Sequence, residues 1–217
     1  MYDFTRIGVA VIPLALYALI LGVINLRSRP FLATGSQDAV ALGGAAGGFI
    51  LIGPMELLLP QTAYHNYEGF VFVMLASLYG LCLTLYVLTA RPCLIIYNIS
   101  LDEFRPALSQ AFDALKADAR WAGNTVSLPS LGIEMHVSSF GVLRNVQLSP
   151  VGLNQSLTGW RRLELALNDA LRTSEVRRNS RGAVYVAVGT LMILLSTAAI
   201  CSDRQALVEA IRDVFSG

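Results

Sequence analysis

The chain has 217 residues, of which 54% are apolar and 14% charged, with a formal net charge of +1 and a mean hydropathy of +0.57. Soluble domains run at about 45–50% apolar and about 25% charged, so a chain this poor in charge lacks the groups to cover its own surface in water. The same balance excludes a disordered chain and a nucleic-acid binder acting through bulk positive charge, and three cysteines are too few for a disulfide scaffold.

Crossing about 30 Å of hydrocarbon takes roughly 20 helical residues. Four stretches are expected to do so: residues 7–26, 39–59, 69–90 and 182–202. The first reads as a retained anchor and not a cleaved signal peptide, because its apolar run exceeds the usual roughly 15 residues and Arg27 and Arg29 follow it directly.

The second stretch opens on Gly43-Gly44-Ala45-Ala46-Gly47-Gly48. No strand precedes this run and no Lys-Ser or Lys-Thr follows it, so it is not read as a phosphate loop. Gly43 with Gly47, and Gly44 with Gly48, form two small-xxx-small pairs, which let another helix approach closely. An internal helix is the expected neighbour, with a second copy, and hence a homo-oligomer, as the alternative. Pro54 and Glu56 lie one turn further on and are the candidate intramembrane functional pair: proline bends a helix, and a carboxylate at membrane depth is costly enough to need a reason. An interfacial Glu56 making one hydrogen bond is the plainer reading.

Between the second and third stretches, Tyr64 and Tyr67 suit aromatic anchoring at lipid headgroups. Glu56, His65 and Glu68 lack a diagnostic metal-binding spacing, and no metal or cofactor is expected.

From 91 to 181 the texture changes to that of a folded α+β domain. Residues 94–99 read as a strand, and Ser100 with Glu103 as a capping box. Leu101, Phe104, Leu108, Ala111, Phe112 and Leu115 form a helical stripe behind them. Strands are expected at 125–128, 133–138 and 142–148, then a helix whose inner stripe is Trp160, Leu163, Leu167, Ala170 and Leu171. The order β-α-β-β-β-α predicts two helices over about four mostly antiparallel strands, a ferredoxin-like order with one strand displaced. This comparison concerns shape alone.

His136 is read as a solvated histidine with Glu134 turned to the opposite strand face. Cys93 has no histidine near it in sequence, and no intrachain disulfide is expected. Arg177, Arg178 and Arg181 directly precede the last apolar stretch, where they favour cytoplasmic retention and could attract anionic lipid. Residues 203–217 read as a short amphipathic interfacial helix.

Two arginines, Arg27 and Arg29, and eleven basic residues between Arg91 and Arg181 fall on one side of this four-span arrangement, leaving Arg6, Arg204 and Arg212 on the other. The positive-inside rule then places the folded domain in the cytoplasm and both termini outside, with a bacterial inner membrane as the expected location. The functional expectation is a non-catalytic scaffold or interaction subunit that presents the cytoplasmic domain to a protein partner. The alternatives are a small transporter, channel or ion- or proton-sensing subunit using Glu56, and a membrane-bound enzyme completed by a partner subunit.

Overall fold

The computed structural model describes residues 4–58, 61–141, 144–177 and 179–202, and their side chains except those of residues 4–6, 51–69, 71, 72 and 202. Contacts divide the chain into two units: residues 1–21, 40–89 and 184–217 form the first, and residues 22–39 and 90–183 the second. The expected helix at 203–217 lies outside the described residues.

The first unit is helical. It holds most of α1 (Phe4–Leu26) and α2 (Gly35–Leu58), all of α3 (Gln61–Thr89) and most of α6 (Arg181–Ser202). Its residue distribution inverts that of a soluble core. Small residues such as Ala10, Ala15, Ala45 and Ser196 are buried, while Phe70, Leu81, Leu88, Leu194 and Leu195 are exposed, Leu88 to 77%. Small side chains let helices close on each other and leave the large apolar ones facing outward.

Two stretches among the described residues, Ile7–Leu26 and Arg181–Cys201, are long and apolar enough to cross a membrane. The expected four spans are therefore corrected to two. Of the other two expected spans, α3 contributes the shorter apolar run Val73–Thr89, and the second half of α2 has its side chains outside the description.

The second unit is a mixed α+β fold. Its strands are β1 (Phe31–Thr34), β2 (Leu94–Tyr97), β3 (Arg120–Ala122), β4 (Thr125–Leu128), β5 (Ile133–Phe140) and β6 (Asn145–Pro150). They form one six-stranded sheet in the order β1-β2-β6-β5-β4-β3, and every neighbouring pair is antiparallel. The ferredoxin-like expectation is corrected here. In a split βαβ unit a single strand separates the two helix-linked strands, whereas β2 and β3, joined through α4, have β6, β5 and β4 between them, and the sheet has six strands and not about four.

Helices α4 (Leu101–Ala114) and α5 (Leu157–Thr173) pack on each other and on one sheet face. Strict alternation sends Leu94, Ile96, Val126, Leu128, Ile133, Met135, Val146 and Leu148 inward against Phe104, Leu108, Leu163 and Leu167. Pro106 sits inside α4, where proline costs roughly 3 kcal/mol. Burial of a large apolar side chain contributes about 1.5–3 kcal/mol, so Phe104, Leu108 and Phe112 together offset it and the helix continues.

Candidate functional site

The second unit is entered from α1 and left toward α6, and asparagines join these two points of the chain. Helix α1 stops at Leu26, and Pro30 sets the chain up for β1. The Asn179 backbone N–H donates to the Asn25 carbonyl at 3.2 Å, and the Asn179 side-chain amide donates to Asn25 Oδ1 at 3.2 Å. Asn179 Oδ1 in turn accepts the Arg181 N–H at 3.1 Å, and Val176 N–H donates to the Ser28 carbonyl at 2.9 Å. Gly182 is required in this packing, because a Cβ there would lie 2.9 Å from the Gly22 carbonyl oxygen and 3.0 Å from Asn25 Cβ.

A third asparagine completes the junction. Asn98 follows β2 at φ +61°, a left-handed conformation that asparagine tolerates better than most residues. Fully buried, it donates through Nδ2 to the Arg27 carbonyl at 2.7 Å, while its Oδ1 has no hydrogen-bond partner among the described residues. The next residue, Ile99, donates its N–H to the Arg144 carbonyl at 2.8 Å. The Arg144 guanidinium reaches the Arg177 carbonyl at 2.8 Å and Glu103 at 2.6 Å.

Burial pushes the Glu103 carboxyl up. The Ser100 N–H at 3.0 Å, the Ser100 hydroxyl at 2.8 Å and the Arg144 guanidinium outweigh that, so its pKa lies below the usual carboxylate value. The first of these contacts is the Glu103 half of the expected capping box.

Arg27, Arg29, Arg177 and Arg181 are all exposed around this junction. Leu26 to Phe31 line a hollow of about 480 Å³. Arg178, the remaining member of the expected juxtamembrane arginine group, lies outside the described residues.

A second polar cluster sits where the N-terminus of α2 meets β2. The Tyr97 hydroxyl donates to the Asp38 carboxylate, Gly35 N–H donates to the Cys93 carbonyl at 2.8 Å, and Gln147 Nε2 donates to Cys93 Sγ at 3.3 Å. Burial pushes the Cys93 thiol up; hydrogen bonds from Gln147 and Ser149 pull it down, and the Asp38 charge adds to the rise. The net shift is upward, so this thiol stays protonated at neutral pH and is a poor nucleophile.

Two residues apart on β5, Glu134 and His136 share the uncovered sheet face, and both are exposed. That corrects the expectation of opposite faces, since strand side chains repeat with period two. Thr125 Oγ1 lies 3.5 Å from His136 Nδ1. Among the described residues, no three His, Cys, Asp or Glu side chains stand close enough to hold a metal ion, and the three cysteines are free.

Within the first unit the four candidate glycines have different surroundings. Gly43 meets Leu83, and its carbonyl accepts the Tyr79 hydroxyl at 2.6 Å; a Cβ on Gly47 would touch the Tyr79 ring at 3.4 Å. A Cβ on Gly48 would collide with the backbone carbonyl of Ala10, whereas Gly44 has nothing within 4 Å. One glycine pair thus packs on α3 and one glycine of the other on α1. Pro54 and Glu56 belong to α2, and Tyr64, His65, Tyr67 and Glu68 to α3, with side chains outside the description.

Sequence reasoning misses β1, β3 and the three junction asparagines. The β3–β4 hairpin has a readable signal, the two-residue Gly123-Asn124 loop with Gly123 at φ +63°. Asn25, Asn98 and Asn179 have none, being single polar residues at the edges of apolar runs. Comparison of the chain with protein-family models, with curated proteins and with solved structures finds no match.

Proposed function

We propose that this protein is an integral membrane, non-catalytic interaction subunit that holds its α+β unit on the cytoplasmic side of a bacterial inner membrane, with both termini outside. The observation that carries this reading is the sheet's uncovered polar face over β4 and β5. Both helices occupy the opposite face, and Glu134 and His136 remain accessible beside Thr125 and Ser127. Such a face suits a polar, hydrogen-bonding protein contact.

The apolar exterior of the helical unit supports membrane embedding, because contiguous exposed apolar surface on this scale is unfavourable in water. Arg27 and Arg29 follow the first candidate span, and Arg172, Arg177, Arg178 and Arg181 precede or open the second, against Arg6, Arg204 and Arg212 on the other flanks. That asymmetry supports the orientation.

The test is site-specific photocrosslinking in native membranes, from Glu134 or His136 on the open face and from Arg162 on the outer side of α5. A protein adduct formed from the open face alone, and lost on Ser127→Arg, is the expected result. Equal labelling from both positions, or none from either, overturns the reading, as do cytosolic reporter tags at Met1 and Gly217 for the orientation.

A further inference from the structure

We propose that Arg27, Arg29, Arg177 and Arg181 form an anionic phospholipid headgroup site built by the junction between the two membrane-proximal segments. The sequence separates these residues into two groups about 150 positions apart. The Asn25–Asn179 and Ser28–Val176 hydrogen bonds bring the two backbones into direct contact, which gathers both groups at one place on the second unit.

Several observations point to lipid phosphate as the occupant. Arg27 and Arg29 directly follow the apolar stretch Ile7–Leu26, and Arg181 opens the stretch Arg181–Cys201, so these three lie at the ends of the helices that meet headgroups on the membrane reading, on which this proposal rests, and Arg177 precedes Arg181 by four residues. The hollow of about 480 Å³ bordered by Leu26 to Phe31 places two guanidinium-bearing residues beside an apolar rim of Leu26, Pro30 and Phe31, which matches a phosphate joined to acyl chains better than a free ion. Glu103, the carboxylate that the hydrogen bonds tie to this junction, is already paired with Arg144. Arg144 also holds the Arg177 carbonyl, fixing the backbone that carries that guanidinium.

The full chain in phosphatidylcholine nanodiscs, with increasing phosphatidylglycerol, tests the site by lipid retention in native mass spectrometry. Wild type is expected to retain phosphatidylglycerol over phosphatidylcholine, with retention about fivefold weaker for each arginine changed in Arg27→Gln, Arg29→Gln and Arg177→Gln. Arg→Lys at the same positions keeps the charge and is expected to retain an intermediate amount, which separates headgroup binding from misfolding. Arg161→Gln with Arg162→Gln, a loss of charge on exposed positions of α5, is expected to leave retention unchanged. Equal retention by wild type and the triple variant overturns the site while leaving the membrane reading intact. Inorganic phosphate competing as well as the lipid assigns the arginines to a free anion and also overturns it. A chain stripped from native membranes by carbonate overturns the membrane reading, and the headgroup site with it.

Discussion

Asn179 donates its side-chain amide to the side-chain carbonyl of Asn25, 154 positions earlier, and both residues are buried. A buried amide pair is stabilising only while both partners are present, because either one left alone is desolvated without compensation. The pair therefore acts as a clasp on the two points where the chain enters and leaves the sheet-bearing unit.

Asn179→Ala is expected to lower stability by about 1–3 kcal/mol, the cost of stranding a buried acceptor. Thermal unfolding of the purified protein measures it. Asn25→Ala should cost a similar amount and the double variant less than the sum, since the two changes share one hydrogen bond. Additive losses would mean that the two residues are not coupled.

Glu103 should make the second unit acid-sensitive. Its folded carboxyl lies below its ordinary value, so in mildly acidic solution the unfolded chain binds more protons than the folded one. Stability from this group is complete above the usual glutamate range and is lost as pH falls through the lowered folded value. Glu103→Gln is expected to be less stable than wild type near neutrality and to show a flatter decline on acidification, read as the unfolding midpoint against pH. Parallel wild-type and variant curves would contradict this.

Cys93 should alkylate slowly at neutral pH. Burial holds its pKa above the ordinary thiol value, so the thiolate fraction rises only in more alkaline solution. In a Cys82→Ala, Cys201→Ala background, iodoacetamide labelling is expected to lag behind a free thiol and to climb with pH beyond the point where the free thiol levels off. A labelling rate equal to that of free cysteine at neutral pH would show that the site is not enclosed.

Two neighbouring glycines should respond in opposite ways. Gly48→Ala drives a Cβ into the Ala10 backbone, which cannot move aside without separating α1 from α2, and is expected to destabilise the helical unit. Gly44→Ala meets nothing within 4 Å and is expected to be neutral or to add up to about 1 kcal/mol through helix propensity. Unfolding in detergent distinguishes the two, and equal effects would show that the close approach of α1 to α2 at Gly48 does not govern stability.

Much of the second unit is legible locally. The alternation of Ile133, Met135 and Val137 with Glu134, His136 and Ser138 predicts β5 and its buried face, and the stripes on α4 and α5 match their buried residues. Of the four stretches read as spans, Ile7–Leu26 and Arg181–Cys201 are the two among the described residues that are long and apolar enough to cross a membrane.

Composition and periodicity thus determined the apolar character of the chain, its two domain helices and most of its strands, since each depends on side chains a few residues apart. The tertiary structure alone decided that β1 joins the sheet, that β2 pairs antiparallel with β6, and that Asn25, Asn98 and Asn179 gather at one junction. These are backbone and amide hydrogen bonds between distant segments, and a hydrogen-bond donor carries no local mark of which acceptor the fold will bring to it.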